Sequence, residues 1–243
     1  MKVGEVAARE KLSIEAAARQ ERHRFFAETG KAHRCRQILL GHHAGDAAET
    51  TLLNLFRGSG RLTPLRSPSE IRVGRRTLTF LRPLLATPRS AIDAYLSEHG
   101  IRFREDASNQ SADHLRNRIR HQLLPLLDEM FEREVSVNVN RAAQIAGEEH
   151  RYLDSVIEGL DLSPEGRPAC LSTVRLRALP LAIQRRAIHR WLVRQRIPRV
   201  SFEKVEACLS LLDPSCGPAK VNLPGNHHAR RKDKALFIEK GGG

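Results

Sequence analysis

The spacing of apolar residues in the first part of the chain predicts alternating helices and strands. From Ser13 to Glu28 the apolar residues fall at mostly helical spacing, and Ser13 is suited to cap that helix. The run Gln37–Gly41 is short, apolar and bounded by polar residues, as in a strand buried within a parallel sheet. From Asp46 to Arg57 the helical spacing returns, until glycines end it. The predicted unit is therefore strand, tight turn and helix.

The pattern changes further along the chain. Residues 67–85 predict a β-hairpin or loop excursion, and residues 88–99 predict a helix that ends at Gly100. Beyond residue 113 helical patterns predominate, at 115–126, 131–160, 176–196 and 201–212, before a tail that indicates two short strands. In the third of these helices we expect inward packing of Leu179, Ile183, Ala187, Ile188 and Trp191. We therefore predict an α/β domain at 1–110 and a mainly helical region at 111–243.

The charge balance favours a polyanionic partner. The 243 residues include 41 Lys and Arg against 28 Asp and Glu, a formal net charge of +13, which points to nucleic acid. Aromatic residues make up only 5% of the chain, so a binder built on many exposed rings is disfavoured, and backbone contacts fit better. The alternative is a generally basic, solvated surface.

The cysteines and the apolar runs indicate the cellular compartment of the protein. The four cysteines are scattered and form no C-x-x-C pair, which argues against a zinc ribbon or a disulfide scaffold and indicates free thiols in a reducing cytosol. The first residues lack the apolar core of a signal peptide, and no run approaches the roughly 18 apolar residues that a membrane span requires. We expect a soluble cytoplasmic protein with no membrane partner.

The segment GHHAGDAAET at 41–50 carries the most informative chemistry, because it follows a predicted strand and opens a helix. Ligands bind at the carboxyl ends of parallel strands, and a helix amino terminus attracts phosphate, so an ATP site is expected here. His42 can contact a phosphate or a carbonyl, while Asp46 and Glu49 can take protons or hold magnesium. Two alternatives stay open. Asp46 can complement the helix dipole with His42 and His43 capping the strand, or His42 and Asp46 can bind zinc.

Four motifs occur in order: GHHAGDAAETTLLNLFRGSG at 41–60, RPLL at 82–85, EDASN at 105–109 and LRNRIR at 115–120. They resemble the motifs of the tRNA(Ile)-lysidine synthase family. Upstream, EAAARQER at 15–22 is similar to the family's E-x-A-A-R-x-x-R helix, although His23 stands where tyrosine is usual. The resemblance implies an α/β chain, with an incomplete parallel-sheet PP-loop (N-type ATP pyrophosphatase) domain followed by a mainly helical tRNA-binding region.

The resemblance also implies an ATP-dependent carbon–nitrogen ligase. In that family, ATP adenylates the C2 oxygen of the wobble cytidine in the CAU anticodon of isoleucine tRNA. The amine of free L-lysine then displaces AMP, and the product is lysidine. The implied cofactors are ATP and Mg²⁺, and the implied partners are that tRNA and lysine.

The family motifs assign roles to particular residues. His42 and Asp46 match the catalytic pair, which contacts the reacting nucleotide and binds lysine or metal. Arg19 and Arg22 match arginines near phosphate or the flipped base, and Arg57 is expected on the ATP side of the pocket. The alternative for Arg57 is a solvated arginine that opposes the helix dipole.

The candidates for nucleotide or tRNA contacts are Arg82, Arg116, Asn117 and Arg120. Arg116 and Arg120 are four residues apart and therefore share one helix face. The alternative for this group is an interdomain salt-bridge network. No residue is assigned as a direct metal ligand.

One family feature is missing from the sequence. The S-G-G-x-D-S loop, whose backbone N–H groups cradle pyrophosphate, should precede the E-x-A-A-R helix, but nothing like it occurs. A gene model begun at an internal Met, a split gene and a degenerate protein compete as explanations, and we favour an incomplete gene product.

Missing first strands would expose an edge of the sheet, so a homodimer or a complementing amino-terminal fragment is an expected partner. The alternative function is a non-catalytic tRNA-binding remnant. tRNA thiolation on the same fold is disfavoured because paired cysteines are absent.

Overall fold

The computed structural model describes residues 3–58, 62–104, 115–213, 215 and 218–241. The chain divides into two compact units. Unit 1 comprises Met1–Leu52 and Pro64–Asn140, and unit 2 comprises Leu53–Thr63 and Arg141–Gly243. The domain boundary expected near residue 110 falls among residues outside the described ranges and stays a prediction.

Unit 1 begins with a helical hairpin, formed by α1 (Val3–Glu10) and α2 (Ile14–Ala32). The two helices share a small apolar cluster of Val6, Ala7 and Ala17. The predicted cap is confirmed, since the Ser13 hydroxyl oxygen accepts the Ala16 N–H at 3.2 Å. The helix runs past its predicted end at Glu28.

A three-stranded sheet follows, with the order β1-β3-β2. β1 (Gln37–Leu39) is parallel to β3 (Arg76–Leu81), and β2 (Ser69–Val73) forms the predicted hairpin with β3. Leu78 and Phe80 are buried against Ala27 of α2. The strand expected at 37–41 is present and parallel to β3, but its expected burial was wrong: Leu39 is 70% exposed, because the described residues leave uncovered the face of β1 on which it lies.

The helices that follow along the chain are α3 (Ala44–Phe56), whose last residues from Leu53 belong to unit 2, α4 (Arg89–Glu98), α5 (Leu115–Arg118), a π-helical turn (Ile119–Leu123) and α6 (Leu124–Phe131). Gly58 and Gly100 take positive φ values of 69° and 60° just after α3 and α4, as is typical of helix ends. α6 and α7 (Val135–Glu158) are separate helices, because Glu132 is left-handed and ends the first of them.

Unit 2 packs helices with a small antiparallel sheet. Its elements after α7 are β4 (Leu171–Ser172), α8 (Thr173–Arg177), α9 (Leu181–Arg194), α10 (Phe202–Ser210), β5 (Lys220–Leu223), β6 (His227–Lys232) and β7 (Ala235–Lys240). The strands have the order β4-β7-β6-β5. One apolar cluster joins them, with Leu176, Ile188 and Leu192 fully buried. Four of the five expected inward residues are buried there, and Leu179 is partly buried.

One prediction for unit 2 needs correction. The helix expected at 176–196 is split into α8 and α9, because Pro180 caps the second helix in an extended conformation. The two short strands expected in the tail, from Leu223 to Lys240, are confirmed as β6 and β7, and β5 precedes them. The mixed α/β class with a mainly helical second region is nevertheless confirmed. Among the described residues, no helix is both long and apolar enough to cross a membrane.

Candidate active site

The candidate site begins where β1 turns into α3. Asp46 lies in the first turn of α3, and its Oδ2 accepts the backbone N–H of His43 at 3.0 Å. In return, Nδ1 of His43 accepts the N–H of Gly45 at 3.0 Å. This reciprocal arrangement has the logic of a capping box, in which two otherwise unpaired donors at a helix start find acceptors. The helix-stabilising interpretation of Asp46 is therefore realised through one oxygen, and the other oxygen remains for a second partner.

That second partner is a pair of arginines. Nη2 of Arg116 and Nη2 of Arg120 donate to Oδ1 of Asp46 at 3.1 and 2.9 Å. Their Nε atoms donate to the two oxygens of Glu49, at 2.7 Å from Arg116 and 2.5 Å from Arg120. Asp46 and Glu49 are three residues apart on α3, and the arginines are four apart on a helical segment. Two carboxylates on one helix thus face two guanidinium groups, all within unit 1.

Burial explains why this network needs so many hydrogen bonds. Glu49 is 1% exposed and Asp46 is 9% exposed, and a buried carboxylate is costly unless it is paired. Burial alone would lower the pKa of Arg120, but hydrogen bonds and charge attraction from Glu49 and Asp46 outweigh it, so its pKa is raised. Arg120 lies in the π-helical turn, an irregularity that is frequent at functional sites. The predicted shared face of Arg116 and Arg120 is thus used to hold acidic side chains.

His42 lies immediately beside this network and keeps unmet hydrogen-bonding capacity. Its Nδ1 atom is buried and has no hydrogen-bond partner among the described residues. Burial lowers the pKa of His42 below its usual 6.5; the charge of Asp46 opposes this shift, and the charges of Arg82, Arg116 and Arg22 reinforce it. The imidazole is therefore neutral near pH 7, with one nitrogen able to accept a proton.

Arg82 is a second buried side chain with an unmet donor. Its Nη1 donates to the Arg66 carbonyl and to the Ser69 hydroxyl, the latter at 2.8 Å, and its backbone N–H donates to the Ser67 hydroxyl at 2.7 Å. Its Nε is buried without a partner in the described ranges. Burial, followed by the charge of Arg19, lowers the pKa of Arg82. Arg82 anchors the segment before β2 and retains one N–H for another acceptor.

The arginines predicted to bind nucleotide are only partly brought together. Arg19 and Arg22 are exposed on α2, three residues apart, and their charges act on Arg82 and His42 respectively. Asn117 is half-buried in the helical turn that carries Arg116. Arg57 is exposed just after α3 and belongs to unit 2, so it is not grouped with the others. The EDASN motif and Ser59–Gly60 lie outside the described residues.

Glu49 is the residue whose importance the sequence did not reveal. The sequence named it only as a carboxylate able to take protons or hold magnesium, yet it anchors both Arg116 and Arg120. One signal was available, because α3 is otherwise largely apolar and contains no Lys or Arg. Two acids, Asp46 and Glu49, in such a helix predict cationic partners from a distant part of the chain.

The same contacts bear on the implied Mg²⁺. Magnesium requires carboxylate or carbonyl oxygens together with bound water. All four oxygens of Asp46 and Glu49 already accept hydrogen bonds from protein N–H groups. In the described ranges, no group of three or more His, Cys, Asp or Glu could hold a metal ion. Magnesium therefore does not fit at these two carboxylates as they are arranged.

His42 follows the carboxyl end of β1, and the carboxyl ends of parallel strands are where open α/β domains bind their ligands. Comparison with known families agrees: the PP-loop domain family matches residues 1–127, and the TilS substrate binding domain matches residues 171–237.

Similar curated proteins are named tRNA(Ile)-lysidine synthase. The one from Thermosynechococcus vestitus is 32% identical over 89% of this chain and 62% of its own length. The one from Geobacter sulfurreducens is 34% identical over 88% and 46%, and the one from Thermobifida fusca is 30% identical over 92% and 68%. The chain therefore belongs to the tRNA(Ile)-lysidine synthase family, which confirms the resemblance seen in its motifs. It spans about half to two thirds of the length of these relatives.

Proposed function

We propose that this chain performs the reaction implied by its family, as an ATP-dependent ligase. It joins L-lysine to C2 of the wobble cytidine in the CAU anticodon of isoleucine tRNA, through an adenylated tRNA intermediate, in the cytoplasm. The observation that carries the proposal is His42, a half-buried neutral imidazole whose Nδ1 has no hydrogen-bond partner within the described ranges, influenced by the charges of three arginines. The names of its relatives and the matched substrate-binding domain support tRNA as the substrate.

The cationic side chains near His42 fit a polyphosphate. Arg19 and Arg22 are exposed, and Arg82 keeps a buried Nε without a partner in the part of the chain described. Guanidinium groups bind phosphate oxygens well because several N–H donors lie in one plane. ATP would supply the activation that converts the C2 oxygen of cytidine into a leaving group. We assign Arg19, Arg22 and Arg82 to nucleotide binding, whereas Arg57 keeps its proposed role on sequence grounds alone.

We propose distinct roles for the two expected catalytic residues. The lowered pKa of His42 keeps it neutral, so it can contact the reacting base and accept a proton near pH 7. Asp46 has both oxygens occupied by protein donors. A lysine ammonium group would therefore have to replace one arginine at Oδ1. We assign Arg116, Asn117 and Arg120 to substrate binding.

The test uses the purified chain with ATP, Mg²⁺, labelled lysine and CAU-anticodon isoleucine tRNA. Label entering the tRNA is the expected result, and a tRNA with a different wobble base should stay unlabelled. Binding of tRNA without any label would instead support the non-catalytic remnant. Light scattering on the same sample distinguishes a monomer from the homodimer proposed from sequence.

A matched pair of variants then tests His42. His42→Ala should slow lysine incorporation about 100-fold or more, the usual effect of losing a positioned acid or base. His33→Ala removes an exposed histidine at the end of α2 and should leave the rate unchanged. Equal rates in both variants would remove His42 from the mechanism.

A further inference from the structure

Unit 2 contains a cavity of about 180 Å³ that the proposed reaction does not use. It lies among α7, α9 and the start of α10. Its apolar lining comes from Leu153, Ala182, Val200, Phe202 and Val205, and its polar lining from His150, Arg185, Arg186, His189 and Ser201. A mostly apolar cavity with a few polar groups is the usual form of a small-ligand site.

An exposed aromatic ring is fixed at this cavity. Phe202 is 51% exposed, and Cζ of Arg185 lies 5.5 Å from the centre of its ring. Arg185 is held there by Glu206, whose two oxygens accept its Nε and Nη2 at 2.7 and 3.0 Å. Glu206 is four residues after Phe202 on α10, so the ring and the carboxylate share one helix face. The ring and the guanidinium group are thus presented together.

The neighbouring wall is also preformed. Arg186 is 6% exposed, and its Nε donates to Oδ1 of Asp154 at 2.8 Å. Its Nη2 donates to the carbonyl oxygen of His150 at 2.9 Å. These bonds tie α9 to α7 on the side of the cavity. The cavity therefore does not depend on a ligand for its shape.

The cations of the lining select the class of ligand. Among the described residues the lining includes two arginines and two histidines but no acidic residue, and the carboxylates that pair with Arg185 and Arg186 lie outside it. A ligand with a flat apolar ring and an attached negative charge satisfies both parts of the site. Unstacked RNA bases stack on aromatic rings and on guanidinium planes, while their phosphates lie against cations.

We propose that this cavity binds one unstacked base of the RNA substrate, stacked on Phe202 beside Arg185. The proposal rests on the proposed function, because it takes tRNA to be that RNA. The low aromatic content argued against a platform of many rings, whereas this site needs only one. The residues from Ala182 to Val205 lie within the matched substrate-binding domain, 171–237.

The experiment measures the affinity of the full chain for CAU-anticodon isoleucine tRNA. Phe202→Ala should weaken binding about 5- to 100-fold, the range expected for one lost base stack, whereas Phe202→Tyr should bind as the wild type does. Tyr152→Ala is the matched control, because Tyr152 is 68% exposed on α7 of the same unit and does not line the cavity. Ala182→Leu fills the cavity from α9 without truncating a side chain and should weaken binding similarly.

The outcomes separate this proposal from the one on which it rests. If the wild type does not bind tRNA, both the proposed function and the base site are overturned. If the wild type binds but Phe202→Ala and Ala182→Leu bind equally well, the base site is overturned while tRNA binding stands. Ultraviolet cross-linking should join the tRNA to the peptide containing Phe202, and a cross-link map without that peptide also overturns the base site.

Discussion

Each unit of the molecule holds two arginines, four residues apart, that face two carboxylates on another helix, but the burial is reversed. The groups are Arg116 and Arg120 with Asp46 and Glu49 in unit 1, and Arg186 and Arg190 with Asp154 and Glu158 in unit 2. In unit 1 the acid is hidden, since the Glu49 side chain is 2% exposed and that of Arg116 is 37% exposed. In unit 2 the arginine is hidden, at 6% for Arg186 against 36% for Asp154.

This reversal means that the two networks should respond differently when one partner is removed. A buried carboxylate depends on its cations, whereas a half-exposed carboxylate such as Asp154 can be hydrated when its arginine is lost. Among the described residues, every buried side-chain polar atom without a partner lies in unit 1: His42 Nδ1, Thr51 Oγ1, Arg76 Nε and Arg82 Nε. A buried polar atom without a protein partner can bind water or a ligand. Unit 1 thus retains capacity for a ligand, while unit 2 uses its ion pairs to join helices.

The largest effect is expected for Glu49→Ala. Removing this buried anchor leaves two guanidinium groups facing each other without the Glu49 charge. The free energy of unfolding should fall by about 3 kcal/mol, the low end for a broken buried ion pair, because the arginines are partly exposed. Hydrogen exchange of the α3 amides should accelerate about 100-fold. Trp191, the single tryptophan, lies in the core of unit 2 and should report little change there.

Glu70→Ala is the matched control for that experiment, because Glu70 is an exposed acid on β2 of the same unit. It should leave the exchange of α3 unchanged. Unaltered protection of α3 in Glu49→Ala would contradict the distinction between the two networks. It would mean that water solvates the two guanidinium groups after the loss of Glu49 as easily as it does after the loss of an exposed acid.

A smaller effect is expected for Arg186→Met in unit 2. Methionine keeps much of the apolar stem, and Asp154 is exposed enough to be hydrated. The carbonyl oxygen of His150 loses one donor. We expect a loss of about 1 kcal/mol in the free energy of unfolding, the usual cost of one hydrogen bond, measured by Trp191 fluorescence in urea.

Glu158→Gln is the control in unit 2 and should change that free energy by no more than about 0.5 kcal/mol, because exposed ion pairs contribute little. Its carboxylate side chain is 62% exposed. A loss near 3 kcal/mol for Arg186→Met would place both networks in one class. The contrast drawn from burial would then be wrong.

The sequence predicted those parts of the structure that depend on local signals. Ser13 caps α2 and Gly58 follows α3 because a cap oxygen and a left-handed glycine act over a few residues. The spacing of Arg116 and Arg120 also predicted one shared helix face. Their predicted roles in binding substrate stay a prediction, since both now contact Asp46 and Glu49.

The sequence could not reveal what depends on distant contacts. The bonds from Glu49 to Arg116 and Arg120 join residues 67 and 71 positions apart, and no local periodicity encodes such a pairing. β4 is two residues long and exists only because β7 pairs with it. Leu39 is exposed for a similar reason, because the burial of a strand depends on what covers it and not on its own apolar residues.

The smallest expected effect concerns the pH dependence that His42 gives to unit 1. Burial lowers the pKa of His42 on folding from its usual 6.5, so the unfolded chain binds this proton more readily. The free energy of unfolding should therefore fall as the pH drops below 6.5 and level off below the folded pKa, with no contribution from His42 above 6.5.

Unfolding is measured across about pH 5 to 8 for the wild type and His42→Gln. The free energy of unfolding of the wild type minus that of His42→Gln should be flat at high pH and fall at low pH. Arg22→Gln removes one charge that lowers the pKa of His42, so it should reduce the fall. A difference that rises as the pH drops would show that attraction to Asp46 outweighs burial, and His42 would then belong to a charged pair of the kind found in unit 2.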